Sequence, residues 1–479
     1  MTEIRADLIV VGMGIAGLSA ALTASEAGAK VVVVDRASLG QSGGNTRYTE
    51  AFMRMKSVDE PSDDLADALL GDFMGYPDPS LLKETLEERS TWSIPTRTLN
   101  IVDYHYVETL LQNAGPTLRW LTGHGLRFEA LPTPFLTTST TRLSPVGGGL
   151  ALVETLLASI ASTCEILYET TARSLSTGDG KVTGLEAMGP DGAVTLIGTV
   201  MLASGGYEGN AEMLSRYQGP QGMLCRPVAV GGHYNKGEGI EMAMAIGAAS
   251  AGNFSLFHAE PIDPRSGVSE AAIFAFPYGV LVNIEGERFV DEAPGPVDAI
   301  YERITRRIQA QTNGVAYLIL DVTGQDVPNI RTALRTDQPA IVAQSIEDLA
   351  SRLEIDATSL GVTIARYNAA CGTDAFDFTK PDGKTTLGLT PPKSNWATPI
   401  EKGPFHAYPI MAANVFTFGG LRTNERAQVL NRDGCPIEGL YAAGEITGLY
   451  YSNYTGSTSV LRGAVFGRIG GRDAVRDLL

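Results

Sequence analysis

Residues 7–24 read DLIVVGMGIAGLSAALTA, and this stretch decides the fold of the chain. The apolar run at residues 7–11 predicts a short buried strand, and the alanine-rich run at residues 18–27 predicts a helix. Between them lies the pattern GxGxxG. Gly12 fits a tight turn, Gly14 lets a pyrophosphate approach the backbone, and Gly17 lets the helix pack closely on the strand. The stretch therefore predicts a dinucleotide-binding strand, turn and helix.

A second strand and an acidic residue complete this fingerprint. Residues 30–34 read KVVVV, which predicts a buried strand, and Asp35 follows at once. A carboxylate about twenty residues after the glycine turn accepts hydrogen bonds from an adenosine ribose. The amino end of the helix offers unpaired N–H groups and a positive dipole end to the phosphates. We therefore expect a nucleotide cofactor.

The composition limits the class of protein. A chain of 479 residues predicts one fold with a large insertion, or two domains. The net charge of −17 argues against nucleic acid and anionic membrane surfaces as partners, because both bind basic faces. The four cysteines form no CxxC pair, and we find neither a signal peptide nor an apolar run of about 18 residues. These features predict a protein of the reducing cytoplasm without a membrane span.

Four later segments carry further motifs that indicate a cofactor site. They are SGGNT at residues 42–46, VMLASGGY at 200–207, VLVN at 280–283 with Gly286, Arg288 and Phe289 after it, and GLYAAGE at 439–445. With these segments the chain resembles the flavoprotein family of fumarate reductases, succinate dehydrogenases and 3-ketosteroid dehydrogenases. The resemblance implies FAD as cofactor. The family's covalent flavin link uses a histidine near the glycine pair, and residues 39–42 offer none, so FAD is expected to bind non-covalently.

The resemblance also implies an architecture. We expect an α/β fold with a Rossmann-like FAD-binding domain built from both chain ends and an inserted α+β capping domain. The predicted boundaries are residues 1–253 and 403–479 for the FAD-binding domain and 254–402 for the cap, with residues 391–409 as linker and turns. The expected FAD contacts are Gly12, Gly14, Ala16, Gly17, Asp35, Arg36, Ser42, Gly43, Gly44, Asn45, Thr46, Ala172, Ala203, Ser204, Gly205, Gly444, Glu445, Ser459 and Val460.

The positions that implement fumarate chemistry in the family are mostly different in this chain. Its histidine in the cap is matched by His258, but its proton relay falls on Ala272, Ala275 and Pro296. The substrate arginine near the carboxyl end is replaced by Tyr454. A phenol has one donor and no charge, so it cannot replace a bidentate carboxylate ligand. Fumarate and succinate are therefore not the expected substrates.

Two kinds of substrate stay open. Tyr454 suits a hydrogen bond to a ketone oxygen and to the enolate formed from it. Residues 43–55 instead resemble the corresponding loop of tricarballylate dehydrogenase, which favours a carboxylate held by Arg47 or Arg54. Arg47 has an alternative role as the ion-pair partner of Glu50. A base is also needed, and Tyr278 is the first candidate, ahead of the tyrosines at 104, 106 and 408.

The preferred prediction is an FAD-dependent dehydrogenase that forms a C=C bond next to a carbonyl. A base removes the α proton while the β hydrogen passes as hydride to flavin N5. The substrate is a small molecule: a cyclic ketone, a ketosteroid-like ketone or a tricarballylate-like acid. The sequence holds no second GxGxxG and no dithiol, so a separate electron acceptor is expected. The alternatives are an ene-reductase with an external electron donor and a flavin-binding subunit without catalysis.

Overall fold

A computed structural model describes residues 2–74, 79–84, 87–98, 104–130 and 142–476. Its strands are β1 (Thr2–Val11), β2 (Val31–Val34), β3 (Phe128–Ala130), β4 (Leu143–Pro145), β5 (Cys164–Leu167), β6 (Thr171–Gly178), β7 (Lys181–Gly189), β8 (Gly192–Leu202), β9 (Arg226–Pro227), β10 (Ser250–Ala251), β11 (Phe257–Ile262), β12 (Val280–Asn283), β13 (Val315–Leu320), β14 (Ile341–Ala343), β15 (Phe405–Thr417), β16 (Gly420–Leu421), β17 (Gln428–Leu430) and β18 (Pro436–Ala442).

The described residues also form α-helices, which surround these strands. They are α1 (Ile15–Glu26), α2 (Leu65–Met74), α3 (Pro79–Glu84), α4 (Ile94–Thr98), α5 (Tyr104–Gly123), α6 (Gly148–Ile160), α7 (Ala211–Gln218), α8 (Glu238–Ala245), α9 (Val297–Gln309), α10 (Val322–Gln325), α11 (Ile346–Leu353), α12 (Ala357–Ala370) and α13 (Ser459–Ala474). A short 3-10 helix covers Gly44–Tyr48.

The larger sheet joins the two ends of the sequence. Its described strands follow the order β17, β18, β8, β1, β2 and β5, with β7 paired to β8 and β6 paired to β7. The pairs from β18 through β8, β1 and β2 to β5 are parallel. Parallel strands bring their carboxyl ends to one edge, where such folds bind ligands. The predicted α/β fold with both chain ends in one sheet is confirmed.

Both faces of this sheet are covered, which explains the continuous apolar runs in its strands. In β1, Leu8 and Val10 belong to one core cluster while Ile9 and Val11 belong to the cluster on the other face. Helix α1 packs on α13 with almost no space between their backbones. A Cβ atom added at Gly467 would lie 2.3 Å from the carbonyl oxygen of Ala16. The predicted strands at both sides of α1 and the helix itself are confirmed.

The second sheet forms the inserted part of the fold. Its order is β11, β15, β13 and β12, with β14 and β9 also paired to β15. Three sequence predictions in this part are confirmed: a helix at residues 298–311 is α9, a strand at 316–321 is β13, and a helix at 346–353 is α11. The apolar faces of these elements enclose two further core clusters.

The predicted linker at residues 391–409 is wrong at its end, because β15 begins at Phe405. Pro409 misled the prediction, since proline is rare inside sheets. On one side of β15, strand β14 pairs with residues 405–407 and strand β11 pairs from residue 411 onward. Pro409 lies between these two partners, so its missing N–H breaks no ladder on that side. The second sheet thus includes residues on both sides of position 402, and the domain boundaries stay predictions.

Among the residues that the structure describes, we found no helix with the length and apolar character that crossing a membrane requires.

Candidate functional site

A deep cleft lies at the carboxyl edge of the larger sheet. Its walls come from the turns after β1, β2, β8 and β18, the loop at residues 41–49, and the first turn of α13. The cleft and the open solvent at its mouth together hold about 1390 Å³ that no protein atom fills.

The glycine turn after β1 needs its glycines for physical reasons. Gly12 has a φ of +102°, and a Cβ atom there would lie 2.4 Å from the carbonyl oxygen of Ala203. A Cβ atom at Gly17 would lie 1.9 Å from the carbonyl oxygen of Gly12. Gly14 occupies the N-cap of α1 and has no side chain to cover the first N–H groups. The positive end of this helix therefore faces the cleft and can hold a pyrophosphate.

Asp35 stands at the end of β2, as the fingerprint requires. Its carboxylate accepts hydrogen bonds from the backbone N–H of Met13 at 2.9 Å and of Ala37 at 2.8 Å. Burial raises the pKa of Asp35 to about 6, although these two hydrogen bonds and Arg36 pull it downward. The neighbouring Arg36 pairs with Glu238 at 2.6 Å. This end of the cleft is suited to an adenosine.

The loop at residues 42–46 closes over the turn. The hydroxyl oxygen of Thr46 accepts a hydrogen bond from the Ile15 N–H at 3.0 Å, which ties the loop to the start of α1. Asn45 donates to Glu208 Oε1 at 2.7 Å and to the carbonyl oxygen of Val415 at 3.1 Å. The loop is thus fixed between the two chain ends and lies along the cleft.

Most of the predicted cofactor residues line the cleft. They are Gly12, Gly14, Ala16, Asp35, Arg36, Gly44, Asn45, Thr46, Ala172, Ala203, Ser204, Gly205, Gly444, Glu445, Ser459 and Val460. Their individual contacts with a cofactor stay predictions. Three others lie behind the wall: Gly17 packs on Gly12, Ser42 is buried and donates to Leu39, and a Cβ at Gly43 would clash with Val153.

Several residues in or beside the cleft could not be identified from the sequence. Arg462 is 2% exposed and donates to the carbonyl oxygens of Gly444 and Thr447 at 3.1 and 3.2 Å. Glu208 and Glu445 form a hydrogen-bonded pair, and burial raises the pKa of both carboxyl groups. Asn235 donates to Glu208 at 2.6 Å. The only sequence signal was the position of Glu208, directly after the SGGY segment.

A cluster of four rings adjoins the cleft through Phe416, which lines it. We call His258, Tyr301, Phe416 and Tyr454 the ring cluster. The His258 ring lies 4.4 Å from Tyr454 and 5.1 Å from Phe416, between ring centroids. Its Nε2 atom lies 2.6 Å from the Tyr301 hydroxyl. Burial, together with the Arg306 cation, lowers the pKa of His258 to about 3, so the imidazole is neutral.

Tyr454 and Tyr301 differ in what their hydroxyl groups contact. The Tyr454 oxygen accepts hydrogen bonds from the backbone N–H groups of Thr458 and Ser459, at 3.1 and 3.2 Å, at the amino end of α13. The Tyr301 hydroxyl contacts His258, and burial raises the pKa of Tyr301 far above its usual value. Tyr301 could not be identified from the sequence, because α9 reads as an ordinary amphipathic helix.

Three arginines are considered as ligands for a substrate carboxylate: the sequence candidates Arg47 and Arg54, and Arg142. Arg47 lies 4.0 Å from Glu154, and Glu50 pairs with Arg335 instead, so the Arg47–Glu50 ion pair is wrong. Arg54 is bound by Asp64 at 2.6 Å and by the carbonyl oxygen of Gly456.

Arg142 could not be identified from the sequence, and like Arg47 it has only a distant ionic partner. Its nearest ionic partner among the described residues is Asp298 at 4.0 Å, and its buried Nε has no partner there. Its side chain is only 14% exposed, and a Cβ atom built at Gly456 would lie 3.6 Å from its guanidinium.

The prediction of Tyr278 as base does not agree with its surroundings. Tyr278 is 1% exposed in the core of the second sheet, where its hydroxyl donates to the carbonyl oxygen of Phe378 at 3.1 Å and its ring packs on Trp396. Burial raises the pKa of Tyr278, which opposes proton abstraction. Tyr106 stacks on Phe466, and neither Tyr106 nor Tyr408 lines the cleft. The side chain of Tyr104 lies outside the described residues.

Comparison with known proteins gives one family and several relatives. The FAD binding domain family matches residues 7–461. NADH:acrylate oxidoreductase of Vibrio harveyi is 28% identical over 98% of this chain and 50% of its own length. Urocanate reductase of Eggerthella lenta is 27% identical over 98% of this chain and 74% of its own length. This chain therefore spans half the length of the acrylate relative.

The fold also matches a solved structure. The open conformation of a flavocytochrome c3 fumarate reductase superimposes with a TM-score of 0.76 at 23% identity, over 99% of this chain and 79% of that one. The predicted fold and family are confirmed, and so is the cofactor: the chain binds FAD. The glycine turn, the open first turn of α1 and Asp35 fit its pyrophosphate and ribose.

Proposed function

Because the chain belongs to the FAD-binding domain family, we propose that it is an ene-reductase that saturates a C=C bond next to a carboxylate. Bound FAD supplies the two electrons as a hydride. The observation that carries the proposal is the ring cluster, in which a buried phenol, Tyr301, contacts a neutral histidine beside the cleft. Unsaturated acids are also what the names of the acrylate and urocanate relatives specify.

Tyr301 is the proton donor in this proposal. Its raised pKa keeps the phenol protonated at neutral pH, so the group is present in the form that can donate a proton. With the proton of His258 on Nε2, the imidazole donates to the phenol oxygen. The phenol O–H then remains for the α carbon of the substrate. This assignment favours saturation over the desaturation that the sequence argument preferred.

Arg142 is the carboxylate ligand in this proposal. Burial lowers the pKa of Arg142, and the nearby Arg54 cation lowers it further. Two guanidinium groups in a partly buried site repel each other, so a bound anion relieves both. A guanidinium binds a carboxylate through two parallel hydrogen bonds. Arg142 thus takes over the role that the sequence argument gave to Arg47 or Arg54.

The electrons are expected from a separate donor, because the sequence holds a single GxGxxG. The chain also spans only half of its acrylate relative, whose name includes NADH. The donor therefore belongs to another domain or another protein.

The second candidate is the dehydrogenase of the sequence argument, and Tyr454 favours it. Two N–H groups at the amino end of α13 point at its oxygen. Such groups stabilise a negative charge on the atom they contact. Tyr454 would then accept the α proton of a ketone while the flavin takes the hydride.

A single anaerobic experiment separates these functions. The FAD-loaded protein is reduced chemically and mixed with acrylate, urocanate or cinnamate, and the flavin absorbance is followed. The oxidised protein is mixed in parallel with cyclohexanone derivatives, tricarballylate and steroid ketones. Reoxidation by the unsaturated acids supports the reductase. Bleaching by saturated ketones with no reoxidation by acids would replace it with the dehydrogenase, and no reaction in either arm would favour a non-catalytic flavin subunit.

A further inference from the structure

Glu208 is a buried acid behind the wall of the cleft, and the proposed reaction gives it no role. It is 1% exposed and directly follows the SGGY segment. Its Oε1 atom accepts hydrogen bonds from the side-chain amides of Asn45 at 2.7 Å and Asn235 at 2.6 Å. Both asparagines line the cleft. Glu208 therefore connects two parts of the cofactor wall that lie far apart in the sequence.

A second acid, Glu445, lies beside Glu208 in the wall of the cleft. The Asn235 nitrogen that donates to Glu208 Oε1 also donates to Glu445 Oε2, at 3.3 Å. The other oxygen of Glu445 accepts from the N–H of Thr417 at 2.9 Å and from its hydroxyl at 3.3 Å. A Cβ atom at Gly206 would lie 2.2 Å from that oxygen, so the glycine leaves the space that Glu445 fills. Two carboxyl groups thus share one amide donor.

The pair lies where the cleft adjoins the ring cluster. Asn45 donates to the carbonyl oxygen of Val415, and Glu445 accepts from the N–H of Thr417. Between these two residues stands Phe416, which lines the cleft and belongs to the ring cluster. The hydrogen bonds of the pair therefore fix the segment that joins the cofactor site to the ring cluster.

The groups around the pair favour a single negative charge. The side chains that hydrogen-bond to the two acids in the described ranges are all neutral: Asn45, Asn235 and Thr417. The neighbouring cations Lys236 and Arg462 donate to backbone carbonyl oxygens instead. Burial raises the pKa of both acids, and the charge of Glu445 raises that of Glu208 further. Two buried carboxylates this close do not both ionise, so the pair keeps one proton.

The hydrogen bonds locate that proton on Glu208. Glu445 receives donors on both of its oxygens, which stabilises its carboxylate form. Glu208 Oε2 is closed to solvent, and no donor reaches it in the part of the chain that the structure describes. A charged oxygen buried without a donor is costly. An O–H at this atom, directed at Glu445, removes that cost.

We propose that Glu208 is a neutral carboxylic acid that positions the acceptor groups of the FAD site. Its O–H donates to Glu445, and its carbonyl oxygen holds the amides of Asn45 and Asn235. Both N–H groups of Asn45 are used, on Glu208 and on the Val415 carbonyl oxygen, so this amide has one orientation. FAD has matching donors in the hydroxyl groups of its ribityl chain and the N–H of its flavin ring. The inference holds for either direction of the reaction.

The first test compares Glu208→Gln with Glu208→Leu, two substitutions of similar size. Glutamine reproduces the neutral acid, with an oxygen for the asparagines and an N–H for Glu445, whereas leucine leaves the amide donors unsatisfied. FAD release from the loaded protein is followed by the rise of flavin fluorescence. We expect release near the wild-type rate for Glu208→Gln and about 5- to 150-fold faster release for Glu208→Leu. Glu287→Gln, at an exposed position after β12, is the control for exchanging a carboxyl group for an amide.

Two results of this comparison would overturn the inference. Equally fast release from Glu208→Gln and Glu208→Leu would show that the site requires a charged Glu208. Release at the wild-type rate from both variants would show that Glu208 does not position the FAD site.

The second test detects the proton itself. Infrared difference spectra of the FAD-loaded protein, recorded as H₂O is exchanged for D₂O, report protonated carboxylic acids. We expect a C=O band that Glu208→Gln removes and Glu238→Gln retains. Glu238 is the matched control because it lines the same cleft but is ion-paired with Arg36. A Glu208→Gln spectrum identical to that of the wild type would overturn the inference and leave the proposed reductase untouched.

Discussion

The glycine turn and the ring cluster are built in different ways. We call the glycine turn the nucleotide end, where the close packing around Gly12 and Gly17 leaves no room for side chains at these two positions. We call the ring cluster, which adjoins the cleft through Phe416, the proposed substrate end. Its side chains come from separate segments, with His258 on β11, Tyr301 on α9 and Tyr454 before α13. The nucleotide end excludes added side chains at its glycines, whereas single substitutions in the ring cluster can change its chemistry.

The largest effect should come from Tyr301→Phe, which tests whether the substrate end supplies an acid. Loss of a positioned proton donor should slow the reoxidation of reduced flavin by an unsaturated acid about 100- to 10,000-fold. Tyr278→Phe removes a buried hydroxyl from the core of the second sheet and should leave this rate near that of the wild type. Stopped-flow absorbance measures both. A Tyr301→Phe enzyme within about tenfold of the wild type would remove Tyr301 from the reaction.

Gly12→Val tests the rigidity of the nucleotide end. The left-handed backbone costs about 1–2 kcal/mol for a residue with a side chain, and the clash with Ala203 adds about 1–3 kcal/mol. We expect the free energy of unfolding to fall by the sum and FAD binding to weaken. Gly28→Ala is the matched control, because Gly28 has a φ of +85° but no heavy atom within 4 Å of an added Cβ. In urea unfolding, Gly12→Val should lower the free energy of unfolding more than Gly28→Ala does. Equal losses would show that the close approach of Ala203 to Gly12 is unimportant.

Arg142→Leu tests whether the substrate end selects an anion. Hydrogen bonds to a charged group contribute about 1.5–3 kcal/mol, so kcat/KM for acrylate should fall about 10- to 150-fold. The methyl ester of acrylate cannot use this contact and should react with the variant as it does with the wild type. Arg47→Leu serves as the control arginine. A variant that loses acid and ester turnover equally would indicate a structural role for Arg142.

The smallest effect concerns the pH dependence of FAD binding. The pKa of Asp35 is raised by burial to about 6, above the value of about 3.9 for an unfolded chain. The raised pKa of Asp35 therefore stabilises the folded apoprotein fully below about pH 4, and this stabilisation is lost as the pH rises through about 6. FAD binding should follow the opposite sign, because ribose hydroxyls donate to the ionised form. Fluorescence titration should show a several-fold weaker affinity, equivalent to about 1 kcal/mol, below pH 6. Asp35→Asn should remove this dependence.

The nucleotide end could be predicted from sequence because its requirements are local. A strand, three glycines, a helix and an acid occur within residues 7–35, so their spacing alone defines their geometry. Gly44, Asn45 and Thr46, which the family resemblance pointed out, also line the cleft, and their contacts with FAD stay predictions.

The substrate end could not be predicted in the same way. Tyr301 meets His258 only because α9 packs on the sheet that β11 and β15 form. Arg142 directly precedes β4, far from both in the sequence, so no spacing rule connects these residues. Tyr278 was chosen for its closeness to a motif, but the hydrophobic core around Trp396 determined its environment. Pro409 was misinterpreted for a similar reason. Whether a strand tolerates a proline depends on the neighbouring strands that pair with it, and the sequence alone does not show that pairing.

The contact between α1 and α13 has a consequence for biosynthesis. The wall of the cleft includes Gly12 and Gly463, so the two halves of the site leave the ribosome about 450 residues apart, which takes about 20 to 90 seconds at 5–20 residues per second. During that interval β1 lacks its parallel partner β8 until residue 202 is made, and α1 lacks the helix that covers it. The wall of the cleft is therefore complete only after the strands of the second sheet have been synthesised.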